Sequence, residues 1–145
     1  MSDGYERRGG VSTGSEHLRE HSQHDQALVV DAEVMLWSSM AHDDKDRLEW
    51  LLHHEFTGLT RDGAHLSRDE CAGAAPRSAR RAEGDFTDWS FHTMPWPLVL
   101  VTYRLADDDA ESRHVSIWDV STGLARLRFH QGTWEDAPQL AGVGV

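Results

Sequence analysis

Ser116-Ile117-Trp118 and, one turn later, Leu127-Arg128-Phe129-His130-Gln131-Gly132-Thr133 decide how this chain folds. Both stretches alternate apolar and polar residues with a period of two, which is the pattern of a half-buried strand. Ser121-Thr122-Gly123 between them supplies turn chemistry, and so short a connection makes the two strands antiparallel neighbours. Working towards the N-terminus, strand-like runs recur. The spacing predicts strands over Phe86 to Met94, Leu98 to Leu105, Ser112 to Asp119 and Ala125 to Gln131, separated by Pro95-Trp96-Pro97, Asp107-Asp108-Asp109 and the Ser-Thr-Gly turn.

Upstream of Phe56 the period changes. Leu28, Ala32, Met35 and Leu36 form one helical stripe, and Val30, Val34, Trp37 and Ala41 a second beside it. Asp43 or Asp44 can cap a second helix, over Arg47–His53, on which Leu48, Leu51 and Leu52 recur. Glu55 to Thr60 and Ala64-His65-Leu66 read as a small hairpin across Arg61-Asp62-Gly63. Ser67-Arg68-Asp69-Glu70 then forms a capping box that opens a short third helix, through Ala75 and stopped by Pro76. Helices first and a meander afterwards is an α+β arrangement, with three N-terminal helices packed on one face of a bent antiparallel sheet.

Length and composition narrow the function classes. A chain of 145 residues suits one core and one domain. Residues 1–24 are polar and without apolar period, and read as a disordered tail; residues 25–136 hold the domain, and 137–145 a C-terminal tail. The formal net charge of −11 opposes a nucleic-acid partner, and the basic stretch Arg77-Ser78-Ala79-Arg80-Arg81 has no interleaved aromatics. One cysteine, Cys71, excludes an internal disulfide and fits a reducing, cytoplasmic setting. Neither a secretory h-region nor an apolar run of about 18 residues is present, so no membrane partner is expected. His17, His21 and His24 would share a helical face but lack a completing ligand pattern, and Asp107-Asp108-Asp109 lacks calcium-loop spacing. No metal site and no cofactor are expected.

The chain resembles the nuclear transport factor 2-like superfamily, which includes ketosteroid isomerases, scytalone dehydratase and SnoaL-type polyketide cyclases, and within it a small bacterial branch of unknown function. The resemblance runs from about Ala27 to Thr133. It is carried by Leu48-Glu49-Trp50-Leu51-Leu52-His53-His54-Glu55-Phe56, by Gly63 with Ser67-Arg68-Asp69-Glu70, by Val99-Leu100-Val101-Thr102-Tyr103-Arg104, and most specifically by the two strands quoted first. It implies a cone-shaped sheet wrapped on the helices, an enclosed pocket at its open end and a homodimer. It does not imply one reaction, because the fold hosts isomerases, dehydratases, cyclases and plain binding domains. No Tyr and Asp pair of the isomerases and no paired histidines of the dehydratase align unambiguously, so no catalytic residue is carried over.

Candidate residues therefore come from the chain itself. Alternation sets His114, Ser116 and Trp118 on one face of their strand, with Val115 and Ile117 on the other. In the last strand it sets Leu127, Phe129 and Gln131 towards the helices and His130 outward, unless a bulge near Gly132 reverses the order. His130, His114 and Glu55 are the candidate catalytic acid–base groups; Glu55 adjoins His53 and His54, which as last-turn helix residues have the bland alternative of favouring the helix dipole. Trp37, Tyr103, Trp118 and Gln131 are the candidate ligand-binding residues, chosen from a chain with six tryptophans in which most aromatics belong to the core. The expected partner is a small organic ligand, with a second copy packed on the sheet face carrying Arg126 and Arg128, since Leu98 to Leu105 is apolar on both sides. The function predicted is small-molecule binding with cofactor-free acid–base chemistry of an isomerase, dehydratase or cyclase kind. The alternative is a noncatalytic dimerisation or protein-interaction module.

Overall fold

The computed structural model describes residues 10–73, 85–106 and 110–135, with side chains from residue 23 onward. The order of elements is α1 (Gly10–Ala41), α2 (Lys45–Leu51), β1 (Leu52–Leu59), β2 (His65–Ser67), α3 (Arg68–Ala72), β3 (Asp85–His92), β4 (Leu98–Ala106), β5 (Glu111–Asp119) and β6 (Arg126–Trp134). The six strands form one sheet in the order β2-β1-β6-β5-β4-β3. The last four are the antiparallel meander that the turns demand. β1, however, runs parallel to β6, so the sheet is mixed rather than wholly antiparallel. The first long strand leaves the helical layer beside the open edge of the last one and covers its unpaired backbone groups.

α1 begins at Gly10, well before the apolar period starts at Leu28. Residues 11–24 contain no proline, and adding turns to a helix already held by its packed segment costs far less than nucleating one. Val29, Ala32, Leu36 and Trp37 form its buried face, while Val34 is 44% exposed and outside the stripe assigned to it. Asp44 is the N-cap of α2, its carboxylate accepting from the Arg47 amide. That helix stops at Leu51, earlier than its leucine spacing suggests, because the backbone of Leu52 already pairs with Leu127. His53 and His54 are consequently strand residues. α3 carries the capping box in full: Ser67 accepts from the Glu70 amide and Glu70 accepts from the Ser67 amide at 2.7 Å. The basic stretch at 77–81, the acidic turn at 107–109 and the C-terminal tail lie outside the described residues.

One irregularity decides what the last strand presents. Trp118 pairs with Leu127 but Ile117 pairs with Phe129, so Arg128 is an extra residue with no partner in β5. This bulge inverts the alternation beyond it. Leu127, His130 and Gly132 share the inner face, opposite Trp118, Ser116 and His114, whereas Phe129 and Gln131 pair with Ile117 and Val115 on the outer face. The expectation of Phe129 and Gln131 inside and His130 outside is corrected. The reversal comes from Arg128 and not from Gly132. A second irregularity, between Thr87 and Ser90 with Asp88 at φ 59°, turns Trp89 onto Tyr103 at 4.7 Å between ring centroids. The core joins α1 to the sheet through Val29, Leu36, Leu48, Leu51, Val101, Trp118 and Leu127, each at most 2% exposed. Burying a leucine of this kind stabilises the fold by roughly 1.5–3 kcal/mol.

Candidate active site

Between α1 and the inner face of β4, β5 and β6 lies a cluster of polar side chains in an otherwise apolar interior. Its centre is Glu33, with no exposed surface. Glu33 is on α1 four residues from Val29 and four from Trp37, so helical geometry fixes it to the buried face between two core residues. A buried carboxylate must be hydrogen-bonded to be tolerated. Tyr103 Oη donates to Oε1 at 2.7 Å and Trp118 Nε1 donates to Oε2 at 2.7 Å. The Ser116 hydroxyl is close enough to favour the charged form of this carboxyl. Trp37 Nε1 donates to Tyr103 Oη at 2.7 Å, so one hydroxyl joins the helix indole to the helix carboxylate.

Two histidines extend the cluster along β5 and β6 towards the turn between β1 and β2. Ser116 Oγ and His130 Nδ1 are 2.7 Å apart, His130 Nε2 and His114 Nδ1 3.1 Å, and His114 Nε2 and Ser112 Oγ 2.8 Å. Arg61 Nη1 then donates to Ser112 Oγ in a long bond of 3.5 Å. Arg61 belongs to the hairpin turn between β1 and β2, where Gly63 at φ +91° supplies the left-handed conformation. Its guanidinium lies 4.2 Å from the Trp134 ring and 5.8 Å from that of Trp37, while Trp134 Nε1 donates to Asp62 Oδ1 at 3.3 Å. One cation thus contacts two indoles.

Burial governs the ionisation of these groups. It pushes the Glu33 carboxyl above its usual range, against the lowering effect of Ser116, Tyr103 and Trp118. Burial, reinforced by Glu33, also raises Tyr103 well above a normal phenol. His114 is driven down to about 2 by burial and then by His130 and Arg61, and His130 to about 4 by burial and then Arg61. Both imidazoles are neutral at physiological pH. Perturbed titratable groups gathered in one place are the usual mark of a functional site.

Of the candidates drawn from sequence, His114, His130, Trp37, Tyr103 and Trp118 come together here. Gln131 is on the outer face for the reason given above. Glu55 is exposed, with Arg128 Nη2 3.3 Å from its Oε1, near the end of the sheet where Asp119 pairs with Arg126. Glu55 lies between Leu52 and Thr57, whose partners Leu127 and Phe129 pair in turn with Trp118 and Ile117. His114 is three to four residues further along β5, roughly 10–13 Å at the rise of a strand, and two strands across the sheet, so Glu55 does not adjoin the histidine pair. His53, His54 and Glu55 do present ligand atoms within 4.8 Å of one another, but the Arg128 guanidinium on Glu55 opposes a cation there. Cys71 is buried, and that burial pushes its thiol up to about 11, which disfavours the thiolate. Sequence reading missed Glu33, Ser112 and Arg61. The Val29-Glu33-Trp37 spacing was the available signal for the first; Arg61 reaches the site only through the turn.

The architecture can be compared with solved structures. A protein of nuclear transport factor 2-like type with a cystatin-like fold from Novosphingobium aromaticivorans superposes with a TM-score of 0.63, over 97% of each chain, at 10% identity. The chain has the nuclear transport factor 2-like fold. A protein of the same fold family from Streptomyces avermitilis, named as a candidate dehydratase, gives a TM-score of 0.66 at 14% identity, covering 80% of this chain and 99% of that one. A nuclear transport factor 2-like protein from Cytophaga hutchinsonii gives 0.59 at 14% identity, covering 76% and 98%. No protein-family model matches the sequence, and no curated protein matches it significantly. No described helix is long and apolar enough to cross a membrane.

Proposed function

We propose that this nuclear transport factor 2-like domain binds a small organic molecule at the mouth formed by Arg61, Trp37 and Trp134, and performs cofactor-free acid–base chemistry on it through the His114–His130 pair. The observation that carries this reading is the series Arg61, Ser112, His114, His130, Ser116, Glu33, in which two neutral imidazoles stand between a cation and a buried carboxylate. A neutral imidazole accepts a proton from a carbon or hydroxyl, and Arg61 offsets negative charge that develops on a neighbouring oxygen. Removal of water from a hydroxylated compound, or proton transfer next to a carbonyl, needs no more than these groups. The dehydratase name carried by the Streptomyces avermitilis structure agrees with the first of the two.

A thermal-shift screen of planar and alicyclic alcohols and ketones tests the proposal, with hits followed for turnover by mass spectrometry. A hit should raise the melting temperature, quench tryptophan fluorescence and lose turnover in His130→Ala with the fold unchanged. Turnover that persists in both His130→Ala and His114→Ala would remove the pair from the chemistry. A library that produces no shift would favour an interaction module instead.

One observation supports that second reading and also the homodimer. Leu100, Ile117 and Phe129 are register partners across β4, β5 and β6 on the outer face, and all three remain partly exposed. A contiguous apolar row on a sheet face is what a second copy would cover.

A further inference from the structure

We infer that Arg61, on the turn between β1 and β2, is the positioning residue of the histidine pair: acting through the Ser112 hydroxyl, it holds both His114 and His130 in the Nδ1–H form. This is a property of the chain without ligand, and only its meaning for catalysis rests on the reading of the pair given above.

Three bonds join Ser112, His114, His130 and Ser116: Ser112 Oγ to His114 Nε2 at 2.8 Å, His114 Nδ1 to His130 Nε2 at 3.1 Å, and His130 Nδ1 to Ser116 Oγ at 2.7 Å. A neutral imidazole has one nitrogen that donates and one that accepts. The direction of the central bond therefore fixes the other two, and all three run one way or all three run the other. Either both rings carry hydrogen on Nδ1, or both carry it on Nε2.

Ser112 makes the choice. It is 1% exposed, and its hydroxyl has two side-chain partners among the described residues, His114 and Arg61. A guanidinium carries N–H donors and no acceptor, so Ser112 cannot give its hydrogen to Arg61. The hydrogen goes to His114 Nε2. His114 then donates from Nδ1 to His130 Nε2, and His130 donates from Nδ1 to Ser116. The opposite direction would have His114 donate to Ser112 and would aim the displaced hydroxyl hydrogen at a cation. This preference does not need a short bond from Arg61: at 3.5 Å its charge still turns the hydroxyl hydrogen away, in surroundings of low dielectric.

The rings are held so that the hydrogen can change its nitrogen more readily than the ring can turn over. Tyr103 stacks on His114 at 5.1 Å and 16°, and Trp37 meets it edge-on at 5.1 Å and 81°. Arg61 is itself placed by neighbours: its guanidinium lies 4.2 Å from the Trp134 ring, and its Cγ runs over Gly132. Orientation by Arg61 gives the two histidines different roles. The lone pair that the pair turns towards the Arg61 end is on His114 Nε2, and His130 accepts the Nδ1–H of His114. In an acid–base reaction His114 is accordingly the base, and His130 supports the charge that it acquires.

The distinguishing signature is the tautomer. Ring-nitrogen NMR on histidine-labelled, ligand-free protein at neutral pH should show both rings neutral and in the Nδ1–H form, although a histidine side chain in water prefers hydrogen on Nε2. Either ring found as Nε2–H or as imidazolium overturns the assignment. Arg61→Met keeps an apolar stem over Gly132 and removes the cation. An Nε2–H fraction should then appear, and to the same extent in both rings. Rings that stay wholly Nδ1–H in folded Arg61→Met protein, or a change in one ring without the other, overturn the role of Arg61. So does loss of far-UV circular dichroism in that variant, since Arg61 would then be holding the domain and not the tautomer. Ser112→Ala leaves Arg61 in place and removes the route; it should release both tautomers as Arg61→Met does, and rings that remain Nδ1–H in the folded variant overturn the action through Ser112. Should Ser112→Ala fail to fold, Arg61→Met decides alone. A ligand screen without hits leaves these spectra as they stand, and a reversed tautomer leaves ligand binding untouched.

Discussion

The imidazole of His114 lies in the space that a side chain on Gly132 would take: a Cβ built there would come within 2.7 Å of His114 Cε1 and 2.8 Å of Nδ1. The two residues are register partners on the inner face of β5 and β6. Glycine at 132 is thus a packing requirement of the histidine pair.

Gly132→Ala should accordingly destabilise the domain by about 1–3 kcal/mol, the usual cost of overpacking a filled interior. Arg61 Cγ, 2.9 Å from the same Cβ, would crowd the added methyl as well. Chemical denaturation measures the loss, and a variant as stable as wild type would show that the ring has room to shift.

Tyr103→Phe removes a single hydroxyl that both donates to Glu33 and accepts from Trp37. Two buried polar groups lose a partner while the ring keeps its stack on His114, at 5.1 Å and 16°. Leaving buried groups unsatisfied costs on the order of 2–4 kcal/mol in total. A fall in denaturation midpoint with an unchanged m-value is the expected result.

Stability should also fall on acidification below neutrality. His130 is depressed from 6.5 to about 4, so the stability it brings is present above pH 6.5 and is lost as pH falls towards 4, a change on the order of 3 kcal/mol. His114, depressed further to about 2, adds in the same direction over a wider window. Glu33 acts oppositely: its pKa is raised, so its contribution is fullest below the ordinary carboxylate value and is lost as pH rises through the raised one. Two groups outweigh one, and the net slope between pH 6.5 and 4 favours the neutral side. His130→Gln should flatten the stability profile in that window; an unaltered slope would place the acid sensitivity elsewhere.

Phe129→Glu should convert a dimer to a monomer at micromolar concentration without changing the far-UV circular dichroism, because it places a charge in the row shared by Leu100 and Ile117. Light scattering reads the outcome. A monomeric wild type would remove the proposed interface.

Much of this architecture is written in local pattern. Period-two alternation places His114, Ser116 and Trp118 together on the inner face of β5, and the capping box at Ser67 and Glu70 marks the start of α3. Turn residues fix the meander. What local pattern does not hold is register and closure. The parallel pairing of β1 with β6 joins segments far apart in the chain, and the extra residue in β6 leaves no mark on the alternation of Leu127, Phe129 and Gln131, each of which is a plausible inward residue. Glu33 was hidden by chemistry rather than geometry. A glutamate on a helix is assigned to solvent unless its partners are known, and those partners, Tyr103 and Trp118, lie 70 and 85 residues away.

The unpaired Arg128 gives the last strand a reading frame. Were it drawn into the ladder opposite Ile117, simple parity would return and the phenyl of Phe129 would replace the imidazole of His130 against Ser116, with the amide of Gln131 taking the place of Gly132 opposite His114. A chain lacking residue 128 altogether would keep Phe129 opposite Ile117 and His130 opposite Ser116, with no bulge. The interior chemistry is therefore set by which residue the ladder skips: a chain one residue shorter here can keep the hydrogen-bonded lining that a chain of equal length loses by slipping register.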